Sequence, residues 1–73
     1  LKQANFPRDA AAELEKIIEG KPEDARAHLA LGNLYAQSLN EPAKARVHYQ
    51  KVLTLDPRSP QASAIRFWLA ANP

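Results

Sequence analysis

The sequence predicts an all-α fold in which antiparallel helical hairpins are stacked on one another. Apolar residues recur at spacings of three and four, which is typical of amphipathic helices, and prolines stand at the ends of these segments. Identical residues also recur 35 positions apart without any gap, and a fixed period of roughly 20–50 residues indicates a stacked-repeat architecture. The recurring pairs are Asn5 and Asn40, Pro7 and Pro42, Ala10 and Ala45, Lys16 and Lys51, Pro22 and Pro57, Ala27 and Ala62, Leu34 and Leu69, and Ala36 and Ala71.

Four helices are expected, and they cover about residues 5–20, 24–38, 41–55 and 59–71. In the first, Asn5 is a favoured N-cap, Pro7 fits the first turn, and Gly20 marks the C-terminal end. The apolar face of this helix comprises Ala10, Leu14, Ile17 and Ile18.

The second helix begins at Asp24, an acidic cap that the helix dipole favours. Gly32 stands in its interior, where glycine costs roughly 1 kcal/mol relative to alanine. We therefore expect a second helix to approach closely at Gly32. The buried stripe comprises Ala27, Ala30, Leu31 and Leu34.

The third helix supplies the approaching surface. Asn40 and Pro42 repeat the opening of the first helix, and Asp56-Pro57 ends the third because a residue before proline is driven out of helical geometry. Residues 24–57 are thus expected to form one antiparallel hairpin. The packing residues of the third helix are Ala45, Tyr49, Val52 and Leu53.

The fourth helix is expected to start with Ser59 as its cap and Pro60 at its first position. Phe67 lies where the register places Gly32, so a second close approach is not expected and this helix should cap the stack. Its stripe comprises Ala62, Ile65 and Leu69. The single domain 1–73 then divides into a partial repeat (1–22), a complete repeat (24–57) and a capping helix (58–73).

Composition sets further bounds. The 73 residues contain no cysteine, so disulfides and thiolate metal sites are excluded and the redox compartment stays open. Residues 1–24 hold four basic and six acidic side chains, whereas residues 25–73 hold six basic and two acidic ones. The basic part would favour an acidic partner, but a solvated face with ordinary scatter of charge is the explanation that we prefer.

No apolar run approaches the roughly 18 residues of a membrane span, so membrane insertion is not expected. The absence of an initial Met suggests either a fragment, for instance of a longer repeat array, or a processed product. The sequence does not determine the compartment: the cytoplasm is slightly favoured, and the periplasm stays open if a leader or anchor lies outside the sequence.

The sequence offers no constellation for catalysis or for a cofactor. His28 and His48 lie 20 residues apart without a third metal ligand at a recognisable spacing, so packing or surface roles are expected. Serine residues lack a nucleophile turn, and two glycines cannot form a phosphate loop. Basic residues do not alternate with aromatic ones, so neither an enzyme nor a nucleic-acid-binding protein is predicted.

The chain resembles the tetratricopeptide repeat family. The signature positions are occupied by Leu31, Gly32, Tyr35, Ala45, Tyr49, Val52 and Pro57, and residues 1–22 resemble the second half of another repeat. His28 replaces the usual large aromatic residue, and the period is one residue longer than the family's. The 35-residue period also fits the RNA-reading pentatricopeptide repeats, but the signature favours the tetratricopeptide family.

The resemblance implies a concave groove that binds an unidentified protein or peptide. Some members of the family grip a C-terminal carboxylate, but Leu29 and Gln61 stand where the gripping lysines would be. Trp68 is either a binding contact or, with Phe67, a cover for the last core. Carried over by position, the groove comprises Arg26, Leu29, Asn33, Ala36, Gln37, Gln61, Ala64 and Trp68.

A structural role is the alternative. About two repeats are fewer than the three or so that usually bury a continuous core. Each end of the stack is then expected to expose apolar surface, through which the chain could form a homo-oligomer.

Overall fold

The computed structural model describes residues 6–72 and, over that range, contains helices and connecting turns only. Each helix packs against the next one along the chain, which confirms the predicted all-α stack of antiparallel hairpins. The helices are α1 (Pro7–Gly20), α2 (Ala25–Asn33) with a π-helical turn (Leu34–Ser38) directly after it, α3 (Pro42–Leu55) and α4 (Ala62–Ala71).

The start of α2 is fixed by a side-chain cap. The Asp24 carboxylate accepts hydrogen bonds from the backbone N–H groups of Arg26 and Ala27, at 3.1 and 3.2 Å. These N–H groups have no partner within the helix, and the negative charge also suits the helix N-terminus. The expected cap is therefore confirmed.

The other helix starts differ from expectation. Asn5 lies outside the described residues. Asn40 does not cap α3; it adopts a φ of 53°, in the left-handed region that Asn tolerates better than most residues. Asn40 thus serves the chain reversal before α3, which starts at Pro42 with no side-chain cap from Glu41.

The last turn of the second helix is wider than expected. The N–H of Leu39 donates to the carbonyl of Leu34 at 2.9 Å, five residues back instead of four. The helical segment does reach Ser38, as predicted, but its end is π-helical. Such a turn takes in one more residue than a regular α-helical turn.

Helix α4 begins at Ala62, three residues later than the expected start at Ser59. The Ser59 hydroxyl accepts from the N–H of Gln61 at 3.1 Å, and the Ser59 carbonyl accepts from the N–H of Ala62 at 2.9 Å. Ser59 and Pro60 therefore form a tight turn that leads into the helix. Ser59 has a cap-like hydrogen bond, but the residues it orders are not yet α-helical.

The core lies between α2 and α3. Leu31 and Val52 are its largest fully buried side chains. The expected face of α1 is only partly correct, because Ile17 is 47% exposed and the buried residue of that helix is Ala11. The core cluster comprises Ala11, Leu31, Tyr35, Ala45, Tyr49, Val52 and Ile65.

At Gly32 the side chain of Tyr49 from α3 lies directly against the backbone of α2. A Cβ atom on Gly32 would lie 2.6 Å from two ring carbons of Tyr49. Carbon atoms in contact are normally about 3.5–4.0 Å apart, so a methyl group there would overlap the ring. The expected close approach is confirmed, and its agent is the Tyr49 side chain.

Gly32→Ala should destabilise the fold by about 1–3 kcal/mol, because overpacking at Tyr49 outweighs the roughly 1 kcal/mol gained from helix propensity. Gly20→Ala is the matched control, since no atom lies within 4 Å of a Cβ added there and its φ is not positive. It should be neutral or slightly stabilising. Urea unfolding followed by circular dichroism measures both, and equal stability of the two variants would contradict the explanation.

Candidate functional site

A cleft of about 350 Å³ opens beside α2 and α4, and it reaches the buried ring of Tyr49 on α3. One side of the cleft is formed by α2 and its π turn, and the other side by the start and middle of α4. The lining residues are Leu29, Asn33, Gln37, Tyr49, Gln61, Ala64, Ile65 and Trp68.

The structure brings together six of the eight groove residues expected from the sequence. Arg26 lies apart from them, in a second cleft that shares Leu29 and Gln61 with the first. Ala36 lines neither cleft and instead packs, partly buried, against the core. The six that meet in the first cleft are Leu29, Asn33, Gln37, Gln61, Ala64 and Trp68. Their part in binding stays a prediction.

Two lining residues, Tyr49 and Ile65, were predicted only as packing residues. The Tyr49 hydroxyl donates to Oδ1 of Asn33 at 2.6 Å, and its ring meets that of Trp68 edge-on with centroids 5.0 Å apart. Gly32 was the signal that could have revealed Tyr49, because a ring lying directly on α2 extends its hydroxyl to the neighbouring Asn33.

The first cleft is polar but uncharged. Its polar side chains are the three carboxamides of Asn33, Gln37 and Gln61 and the hydroxyl of Tyr49. Burial raises the pKa of Tyr49 above its usual value, so the hydroxyl remains a proton donor at neutral pH. Carboxamides both donate and accept hydrogen bonds, which matches the requirements of a peptide backbone.

The second cleft, of about 360 Å³, adds charge beside the first. Arg26 of α2 and Asp56, which follows α3, both line it. Ser59 and Pro60, in the turn before α4, complete its far wall. A ligand that occupied both clefts would therefore meet an uncharged surface at one end and one charge of each sign at the other.

The two aromatic residues of α4 have different surroundings. Trp68 is half-buried, and it both covers Tyr49 and lines the cleft. Phe67 is 79% exposed, so the alternative in which both aromatic residues cover the last core does not hold for Phe67. It stands on α4 where Gly32 stands on α2, and within residues 6–72 no helix packs against that face.

A separate polar cluster lies between α1, α2 and α3, centred on the two histidines. The Nδ1 atoms of His28 and His48 are 3.0 Å apart, and His28 Nε2–H donates to the carbonyl oxygen of Pro22 at 2.9 Å. Tyr35 stacks on His48 and donates its hydroxyl proton to Glu15 at 2.9 Å. Burial, and then this bond to Glu15, raises the pKa of Tyr35 to about 12. The expected packing role of His28 is thus a buried, hydrogen-bonded one.

Geometry fixes one proton position in this cluster. A carbonyl oxygen only accepts, so His28 carries a proton on Nε2, and of the two facing Nδ1 atoms one donates and the other accepts. His48 Nε2 faces Glu15 Oε2 at 3.6 Å, beyond hydrogen-bonding distance. Burial, the largest cause, lowers the pKa of His48.

Neither a metal site nor a membrane span is found in the part of the chain that the structure describes. No three His, Asp or Glu side chains there are placed to hold a metal ion together. None of the helices between residues 6 and 72 has both the length and the apolar character needed to cross a membrane.

Hairpins related by a 35-residue register, with a cleft lined by helices α2 and α4, define a helical-repeat scaffold. The family model for the tetratricopeptide repeat matches residues 3–66, and the chain belongs to that family. Proteins of this family are generally non-catalytic scaffolds for protein–protein interaction. Neither the curated proteins nor the solved structures contain a significant match.

Acidification should destabilise the fold through His48. Its pKa in the folded chain lies below the ordinary 6.5, so between these two values the unfolded chain binds more protons. Stability conferred by the uncharged ring is present above about pH 6.5 and is lost as the pH falls through the lowered pKa. Glu15 opposes this loss, and His28 adds to it.

Urea midpoints at about pH 7.5 and about pH 5.5 measure the effect, because ordinary carboxylates stay ionised over that range. The midpoint of the natural chain should fall on acidification, and that of His48→Gln should fall less. Since His28 is retained in both proteins, the difference isolates His48. Identical pH dependence in the two proteins would contradict this reading.

Proposed function

We propose that the chain is a non-catalytic interaction module that binds an extended segment of a partner protein in the cleft between α2 and α4. The observation that carries the proposal is the meeting of three carboxamides with the Trp68 and Tyr49 rings in one cleft. Trp and Tyr dominate binding energy in many protein interfaces, and carboxamides suit the alternating donors and acceptors of a main chain.

The cleft is preformed, which favours binding. Tyr49 is buried and held by the close approach to Gly32, and its hydroxyl fixes the orientation of Asn33. With Oδ1 of Asn33 occupied, the amide N–H₂ of the same residue is left to donate. Fewer side chains then lose freedom when a ligand binds, and this reduces the entropic cost.

The charge of the cleft indicates which ligands it suits. A free C-terminal carboxylate needs cationic partners, but the first cleft contains no Lys or Arg. Arg26 lines the second cleft, and a carboxylate, that of Asp56, lines the same cleft. An internal, extended segment with an apolar side chain for the Trp68 surface therefore fits better than a chain terminus.

Peptides selected from a random display library against the intact chain provide the probe. Trp68 is the single tryptophan of the sequence, so its fluorescence reports on occupation of the cleft itself. Selected peptides should change this fluorescence with saturation. Binding that leaves the emission unaltered would place the ligand elsewhere.

Replacing both Gln37 and Gln61 by Ala should weaken binding about tenfold, as expected for two lost hydrogen bonds at about 0.5–1.5 kcal/mol each. Both side chains are exposed, so the thermal midpoint should not change. Gln50→Ala, an exposed residue of α3 outside both clefts, is the matched control and should bind normally. Equal affinity of the natural chain, the double variant and Gln50→Ala would exclude the cleft as the binding site.

The same peptides separate internal-segment binding from terminus binding. Amidation of the peptide C-terminus should leave its affinity unchanged, because no cation lines the first cleft. A large loss on amidation would instead indicate that Arg26 receives a carboxylate. Isothermal titration at two salt concentrations measures this directly.

A further inference from the structure

Within residues 6–72, no helix covers the face of α1 that carries Ile17 or the face of α4 that carries Phe67. The 35-residue register places Ile17 of α1 where Val52 lies on α3, and Phe67 of α4 where Gly32 lies on α2. Val52 is 1% exposed and Gly32 is buried, whereas Ile17 is 47% and Phe67 is 79% exposed. The same helix positions are therefore covered in the hairpin and uncovered at the two ends.

The open faces of α1 and α4 correspond to the faces of α3 and α2 that pack against each other in the hairpin. Helix α1 corresponds to α3 in the register, and α4 corresponds to α2. Helices α2 and α3, the equivalents of α4 and α1, already pack on each other within this chain. Each open face thus has its matching surface at the other end of the same molecule.

The two ends also carry opposite charge. Helix α1 contains four acidic and two basic side chains, and one of the basic ones, Arg8, pairs with Glu41 at 3.2 Å. Residues 57–72 contain Arg58 and Arg66 and no acidic residue. Arg66 is exposed and stands where the register places Leu31, directly beside Phe67. Opposite charges favour an end-to-end approach over the pairing of two identical ends.

We propose that α4 of one molecule packs on α1 of a second copy, in the antiparallel arrangement that α2 and α3 have within the chain. Such a contact is heterologous, because the two surfaces differ, so each added copy leaves one open face of each kind and further copies can add until the assembly closes into a ring. Neither Ile17 nor Phe67 lines the cleft of the proposed function, so the two proposals are independent.

The side chains indicate a looser contact than the internal hairpin. Phe67 replaces Gly32, so the two helices cannot approach as closely, while Leu14 replaces the larger Tyr49 on the opposing helix. A small apolar patch with a charged surround is typical of weak, reversible association. Self-association should therefore depend on concentration and weaken as salt screens the charges.

Sedimentation velocity from micromolar to millimolar concentration tests the proposal. The average mass of the natural chain should rise with concentration, and more so at low salt. Ile17→Asp blocks the α1 face and Phe67→Asp blocks the α4 face, so each variant alone should remain a monomer. An equimolar mixture should form a heterodimer and nothing larger, because one intact face of each kind remains.

Val47→Asp is the matched control, since Val47 is 61% exposed on α3 and belongs to neither face. It should associate like the natural chain. Circular dichroism melts check that the variants are folded, and Ile17→Ala with Phe67→Ala repeats the mixing test with a milder change. A natural chain that stays monomeric at every concentration overturns the proposal. So does a blocked variant that still self-associates, or a mixture that forms no heterodimer.

Discussion

The fold depends on one missing side chain. Because Gly32 has no Cβ, the Tyr49 ring can lie directly on α2, and the largest part of the core forms around this contact. Leu31 and Val52, the largest fully buried side chains, belong to the same two helices as this pair. The cost of a glycine inside a helix is offset by burial of an aromatic ring, whose apolar area stabilises more than alanine would.

The same contact connects the core to the cleft. Tyr49 is buried by α2, yet its hydroxyl reaches Asn33 and its ring edge meets Trp68. A single side chain thus takes part in the hairpin, in the attachment of α4 and in the cleft lining. Packing at Gly32 and the shape of the cleft are therefore physically linked, which is why a change to one is expected to reach the other.

Patterns that repeat along the chain predicted most of the fold. Apolar spacing and the 35-residue register located all four helices, and Gly32 located a close contact between α2 and α3. Each of these signals reflects a local or repeated packing demand. The start of α4 was placed three residues early because a serine and a proline can order a turn as well as a helix. Helix-cap preference could not reveal that Asn40 adopts a left-handed conformation.

The candidate site was predicted in part. Six groove positions meet in one cleft because the register places them on equivalent faces of α2 and α4. Tyr49 also lines that cleft because its ring lies deep enough between α2 and α3 for the hydroxyl to reach Asn33. The spacing of apolar residues in the sequence does not encode that depth. The histidine cluster was missed for a similar reason. His28 and His48 lie 20 residues apart, on different helices, and only packing brings them together.

The π turn after α2 has a geometric consequence. In repeat proteins, the curvature and twist of the whole superhelix follow from the small rotation between one repeat and the next. Because the π-helical turn at Leu34–Ser38 takes in one more residue than an α-helical turn, the chain leaves α2 at a different point around the helix axis. An array built from copies of residues 24–57 would accumulate that change at every step. Its superhelical pitch would therefore differ from that of an array with regular α-helical ends.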